Sequence, residues 1–176
     1  MGRYLDTNTK WDLLLVGTPL WRRRRFDARQ SVEDLPDQLR NHVHTSGWLP
    51  QDQLAQVLSS AGALVFIPWF EGFGIPMVEA FAAGTPVIHG NRTSLPEVAA
   101  GAGLEVDPGH ANQVAEAMRR IEDEPALRAA LIEKGKDRAE DFSWEKTSSL
   151  LWSCIEQAAS DAGVDMSVGK GGSASA

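Results

Sequence analysis

The chain has 176 residues, 43% hydrophobic and 23% charged, which is the ordinary composition of one soluble globular domain. No apolar run reaches the roughly 20 residues of a membrane span, and the N-terminus lacks the apolar segment of a secretory signal. A net charge of -7 argues against nucleic acid as the partner, the single Cys154 excludes an intrachain disulfide, and four scattered histidines form no zinc pattern.

These features predict a cytoplasmic protein. The charge is uneven along it: residues 1–30 hold seven basic and three acidic side chains, so the remainder is strongly acidic. Short apolar runs alternate with amphipathic stretches, the pattern of an α/β domain with a mostly parallel sheet. The first strand is expected over Asp12 to Val16. The basic run Arg22 to Arg25 follows, readable either as a solvated loop or as a contact for phosphate or anionic lipid. A helix is expected over Val32 to Asn41, a strand over Val43 to Thr45, a helix over Gln51 to Ser60 and a strand over Ala63 to Ile67, closed by Pro68. Next come a helix over Pro76 to Ala83 and strands over Pro86 to His89 and Leu104 to Val106. Helices over Ala111 to Glu124, Pro125 to Asp141 and Trp144 to Ala159 complete the series.

Several boundaries have a chemical cause. Pro76 suits a first helical turn, where no N–H is needed, and Gly84 suits the stop after Ala83. Ser143 can cap the last helix, with Lys146 at the position where a capping box has Glu. Residues 1–160 are expected to form the domain. From Asp161 the sequence is small and polar, and 161–176 is expected to be a disordered tail.

The stretch Phe66 to Pro86, FIPWFEGFGIPMVEAFAAGTP, concentrates the chemistry. A buried strand ends, a loop holds Glu71, Gly72, Phe73 and Gly74, and a helix begins near Pro76. Ligands of open α/β sheets bind at such a strand-to-helix edge. The glycines allow close backbone approach, and the helix N-terminus attracts an anion such as phosphate. Glu71 and Glu79 frame the helix start, and carboxylates accept hydrogen bonds from hydroxyls, so a ligand combining phosphate with sugar fits. On spacing alone the alternative stays open that Glu71 only favours the helix dipole and Glu79 is an exposed helical residue. No G-x-G-x-x-G or G-x-x-x-x-G-K-[ST] phosphate motif occurs.

Glu71 to Glu79, EGFGIPMVE, resembles the Glu-x7-Glu signature of the retaining glycosyltransferases of family four, which have the two-domain GT-B fold. LLLVG at Leu13 to Gly17, SGWLP at Ser46 to Pro50, EAFAAGTPVI at Glu79 to Ile88, SLPEVA at Ser94 to Ala99 and FSWEKT at Phe142 to Thr147 follow in the family's order. The resemblance covers nearly the whole chain to about Ala159 and implies a Rossmann-like parallel sheet with helices on both faces, the C-terminal, donor-binding half of a GT-B fold. It also implies roles. Glu71, with the backbone of Gly72, Phe73 and Gly74, would meet the transferred sugar, Ile75 would offer its N–H to the diphosphate, and Glu79 would hold the ribose. The backbone of Trp48 and Leu49 would lie against the base, while the Trp48 ring by itself reads as packing more readily than as base stacking.

The reaction so implied is transfer of a hexose from a nucleotide sugar to an acceptor hydroxyl with retention. The leaving diphosphate assists, and Glu71 positions and stabilises charge without becoming a covalent nucleophile. No Asp-x-Asp is present, so neither a metal nor another cofactor is expected. TSLPEV and FSWE are similar to mannosyltransferase-like members, favouring GDP-mannose as donor. The acceptor would be a sugar or a lipid-linked glycan, and the placement cytoplasmic, peripheral at the inner membrane face. The family's first strand and helix, with a basic pair that contacts the diphosphate, have no counterpart in residues 1–11, so the first, central strand is expected to be missing. The chain is then incomplete for catalysis by itself: a piece of a longer enzyme, one partner of a separate N-terminal domain or chain, or an inactive remnant. Arg22 to Arg25 could replace the lost basic pair. A binding module that holds nucleotide sugar or a partner protein without turnover is the second reading. A receiver-like signalling domain is disfavoured because no acidic cluster follows the first strand.

Overall fold

The computed structural model describes residues 11–17 and 32–164; Arg22 to Arg25 and the tail beyond Val164 lie outside the described residues. The chain divides into two compact units, residues 1–139 and 140–176.

In the first unit the order is β1 (Leu13–Val16), α1 (Asp37–Arg40), β2 (Val43–Gly47), α2 (Gln51–Ser60), β3 (Leu64–Phe66), α3 (Ile75–Ala82), β4 (Val87–Gly90), α4 (Leu95–Ala99), β5 (Leu104–Val106), α5 (Ala111–Asp123) and α6 (Pro125–Ala139). Every strand pairing among the described residues is parallel. β1 pairs with β2, Leu13 opposite Val43, and β4 lies between β3 and β5, with Ile88 opposite both Val65 and Leu104. The sheet therefore stands as a two-stranded and a three-stranded piece, and among the described residues no strand joins β1 to β3. In a doubly wound sheet of order 3-2-1-4-5-6, this break falls where the expected missing strand would lie.

The core follows the period of two along β4, which is buried throughout. Ile88 packs with Val106, Ala117, Ile121 and Leu131, sealing the sheet against α5 and α6. Val87 and His89 belong to the opposite face by strand alternation. The His89 ring lies so close to Gly103 that a Cβ there would stand 2.7 Å from its Cδ2. Its Nδ1 pairs with the Gly90 carbonyl at 3.1 Å, and burial pushes the ring's pKa below the ordinary histidine value. Phe81 on α3 is fully buried against α6 at Gly135, where a Cβ would approach Phe81 Cδ1 to 2.8 Å. A smaller cluster around Val43, with Leu13, Leu15, Leu35, Leu39 and Met118, secures β1 and β2.

Two elements depart from expectation. The helix expected over Val32 to Asn41 is interrupted: helical backbone at Val32 and Glu33 ends before Pro36, and α1 is a separate four-residue turn. Pro36 has no N–H to continue a helical ladder and disfavours helical backbone at Leu35. Helix α4 had no counterpart among the expected elements, because five residues are too few for a periodic pattern. Arg138 of α6 donates to the carbonyls of Val98 and Glu97 in α4 at 2.9 and 3.0 Å. At the end of α3, Gly84 has φ +72°, its N–H reaches the Phe81 carbonyl and that of Thr85 the Ala80 carbonyl, so the glycine stop is a Schellman closure.

The second unit holds α7 (Trp144–Asp161), and Ser143 Oγ accepts from the Lys146 N–H at 3.1 Å as its cap. Trp144, Leu150, Leu151 and Trp152 on α7 are exposed. Among the described residues no helix is long and apolar enough to cross a membrane.

Candidate functional site

β3 delivers the chain through Ile67 to Phe70 into the loop Glu71–Gly74, and α3 starts at Ile75. Gly74 caps α3 with φ +108°, a left-handed conformation that favours glycine, and a Cβ there would come 3.0 Å from Leu95 Cδ2. Pro76 is the second helical residue, where its missing N–H removes no helical bond. Ile75, the first, has no carbonyl within the helix for its N–H. The first turn of α3 carries no acidic side chain, so the partial positive charge of its N-terminus is not neutralised from within the helix.

The segment after β4 supports this loop. The Glu71 N–H donates to Thr93 Oγ1 at 3.2 Å, and Ser94 Oγ lies 3.0 Å from both the Glu71 and the Phe73 carbonyl oxygens. Thr93 reaches this position with φ +52°, which is unusual for a β-branched residue and fixed by the surrounding contacts. Glu71 Oε1 accepts from the Gly72 N–H at 3.0 Å and lies 3.5 Å from the Phe73 nitrogen, which folds the carboxylate onto its own loop. A Cβ on Gly72 would meet nothing within 4 Å beyond its chain neighbours, so space lies open at that position of the loop.

Glu79 sits one turn into α3, half-buried. Its Oε1 accepts from Gln51 Nε2 at 2.9 Å, which ties it to the first residue of α2. Trp48 and Leu49 fill the connection from β2 to α2, and Trp48 is 72% exposed. The structure thus groups the expected residues in two sets: Glu71 to Ile75 on one continuous turn, and Glu79 beside the start of α2, which Trp48 and Leu49 precede. A shallow depression along α2, lined by Leu49, Gln53, Gln56, Val57 and Ser60, includes neither glutamate.

Three supporting residues escaped the sequence reading: Gln51, Thr93 and Ser94. The last two lie in the SLPEV motif or beside it, so a signal was present, but only the tertiary contact reveals what they hold.

The sequence pattern of the family described as "Glycosyl transferases group 1" matches residues 4–138. The chain belongs to this family. Relatives of this chain include the O-antigen chain mannosyltransferase B of Escherichia coli, 28% identical over 82% of this chain and 37% of that protein. A second is the MMP alpha-(1->4)-mannosyltransferase of Mycolicibacterium hassiacum, 34% identical over 66% of this chain and 29% of that protein. Among solved structures, the sucrose-phosphate synthase of Thermosynechococcus elongatus superposes with a TM-score of 0.68 at 31% identity, over 85% of this chain and 39% of that one. The resemblance carried by the Glu-x7-Glu motif therefore holds, and so does the GT-B type of α/β fold. This chain spans less than half the length of the relatives it matches.

Proposed function

We propose that the chain is the donor-binding part of a hexosyltransferase that moves a hexose from a nucleotide sugar, GDP-mannose above others, to an acceptor hydroxyl with retention. One observation carries this reading: a carboxylate at Glu71, open space at Gly72 and the N-terminus of α3, whose first turn carries no acidic side chain, follow one another on a single turn, and the second carboxylate, Glu79, is held one helical turn on. Such a turn offers a hydroxyl acceptor, room for a sugar ring and an anion site in the order in which a nucleotide sugar presents its parts.

In this reading Glu71 and the backbone of Gly72, Phe73 and Gly74 position the hexose. The Ile75 N–H and the α3 dipole meet the diphosphate and stabilise its charge as it departs. Glu79 accepts from the ribose hydroxyls, Gln51 fixing its rotamer, and the backbone at Trp48 and Leu49 lines the base. The acceptor is a sugar or lipid-linked glycan, and the acceptor-binding half comes from a separate domain or chain. A cytoplasmic protein, peripheral at the inner membrane face, belongs to the same reading.

Calorimetric titration of the folded chain with GDP-mannose, GDP, UDP-glucose and UDP tests it. Tighter binding of the GDP ligands supports the proposal; no binding by any of the four refutes it, and binding with no transfer in the presence of the complementary domain favours a non-catalytic binding module.

A further inference from the structure

Just beyond β4, the consecutive residues Asn91 to Ser94 tie the end of β5 to the Glu71 turn. The Asn91 N–H donates to the Val106 carbonyl at 2.9 Å, and the Arg92 Nη2 donates to the two Asp107 carboxylate oxygens at 3.3 and 3.2 Å. Thr93 Oγ1 then accepts the Glu71 N–H, and Ser94 Oγ reaches the Glu71 and Phe73 carbonyls. One end of the segment is therefore fastened to β5 and the other to the loop that carries Glu71. Between them stands Thr93, with φ +52°. A β-branched residue in that conformation is strained, and it stays there only while its surroundings over-determine it.

Asp107 is the fixed point on the β5 side. Its Oδ1 accepts the Gly109 N–H at 2.8 Å, its own N–H donates to Gln113 Oε1 at 2.9 Å, and His110 Nδ1 lies 3.3 Å from Oδ2. The carboxylate thus faces one permanent cation, Arg92, and one titratable ring, His110. The Gly109 N–H, and Arg92 after it, hold the Asp107 carboxyl below its ordinary value, so it is ionised at neutral pH and keeps its hold on the guanidinium. Both groups that Asp107 binds also border Trp69, two positions ahead of Glu71. The Arg92 guanidinium lies 5.8 Å from the centroid of its ring, and a Cβ on Gly109 would stand 3.3 Å from its Cη2.

An ion pair as exposed as Arg92–Asp107 adds little to stability. Its effect is on geometry: with Arg92 released, one end of the segment loosens, Thr93 can relax from φ +52°, and its hydroxyl withdraws from the Glu71 N–H.

We propose that Asp107, acting through Arg92, is a positioning residue for the Glu71 turn, keeping Thr93 in its left-handed conformation and so setting the carboxylate and backbone that meet the transferred sugar. The sugar-facing part rests on the donor reading above, whereas the link from Asp107 to the Glu71 amide stands without it.

The test compares the full chain with its Asp107→Asn, Arg92→Gln and double variants. Asp107→Asn keeps an oxygen for the Gly109 N–H, and Arg92→Gln breaks the same link from the other side, so either folded single variant decides. Two-dimensional amide magnetic resonance reads the turn without ligand: the Glu71 amide should shift, and its hydrogen exchange should quicken about fivefold or more. Calorimetry reads the site. Affinity for GDP-mannose should fall about threefold or more while that for GDP stays within about twofold. The double variant should lose no more than the larger single loss, as members of one network do. A merely structural role would lower both affinities alike, and that outcome overturns the proposal. So does a Glu71 amide that the folded variants leave unmoved, or losses that add in the double variant. A displaced Glu71 amide in protein that binds no nucleotide sugar supports the link and refutes the donor reading instead.

Discussion

The side-chain amide of Gln51 donates to the carboxylate of Glu79 at 2.9 Å, joining the first residue of α2 to the first turns of α3. Two helices that follow different strands are thereby set in register at the point where a nucleotide ribose is proposed to lie. Glu79→Ala removes a charged acceptor, and hydrogen bonds to charged groups are worth about 1.5–3 kcal/mol, so nucleotide affinity should fall about tenfold or more. Gln51→Ala leaves the carboxylate and should cost less. Titration with GDP and UDP of both variants checks the order, and equal losses would remove Glu79 from the ribose.

Ser94 supports the Glu71 turn from beneath, at 3.0 Å from the Glu71 and Phe73 carbonyls. Ser94→Ala should lower stability by about 1 kcal/mol, the ordinary worth of a neutral hydrogen bond. It should weaken the nucleotide sugar more than the free nucleotide, because the sugar-facing backbone is what it holds. Comparing GDP-mannose with GDP in the variant measures that difference.

Gly74 tests the backbone itself. A left-handed φ of +108° together with Leu95 Cδ2 at 3.0 Å from a new Cβ leaves Gly74→Ala strained in two ways. The variant should unfold at lower denaturant concentration, by about 1–3 kcal/mol. A midpoint equal to the wild type would mean that the turn relaxes freely.

His89 makes stability depend on pH. Burial depresses its pKa in the folded state, so the unfolded chain binds the extra proton first as pH falls. Stability contributed by neutral His89 is complete above the unfolded value of about 6.5 and declines as pH drops below it, toward the lower folded value. Asp12 and Asp107 also have depressed values, but their contributions fade below the ordinary carboxylate range, in a separate window. Denaturant midpoints from pH 7.5 to pH 5 should fall for the wild type and more shallowly for His89→Gln, which keeps a polar side chain of similar size.

Much of this molecule is legible in its residues. Local chemistry dictated the well-bounded elements: Gly84 closes α3, Ser143 caps α7, and the apolar run before Pro68 contains β3. The interrupted segment at Pro36 was also written in the sequence, yet the amphipathic spacing of Val32, Leu35 and Leu39 concealed it, because all three do pack on Val43. The Glu71 turn was visible as a motif, whereas its dependence on Thr93 and Ser94 joins residues more than 20 positions apart, which no local spacing encodes. The same holds for Trp69, whose ring lies 5.8 Å from the Arg92 guanidinium and close to Gly109, residues that follow β4 and β5.

The division of the parallel sheet makes its two pieces unequal in endurance. β4 has a paired strand on either side and is buried along its length, whereas among the described residues the β1–β2 ribbon rests on a cluster whose single buried member is Val43. Two-stranded ribbons are marginal by themselves, and local opening follows the sparsest packing. Amide hydrogens of Leu13 to Val16 and Val43 to Gly47 should therefore exchange with solvent through partial opening, long before those of Val87 to Gly90, which should wait for the unit as a whole to unravel. Trp48 and Leu49, which are proposed to line the base, hang from that weaker ribbon, so nucleotide binding in that reading would slow exchange there first.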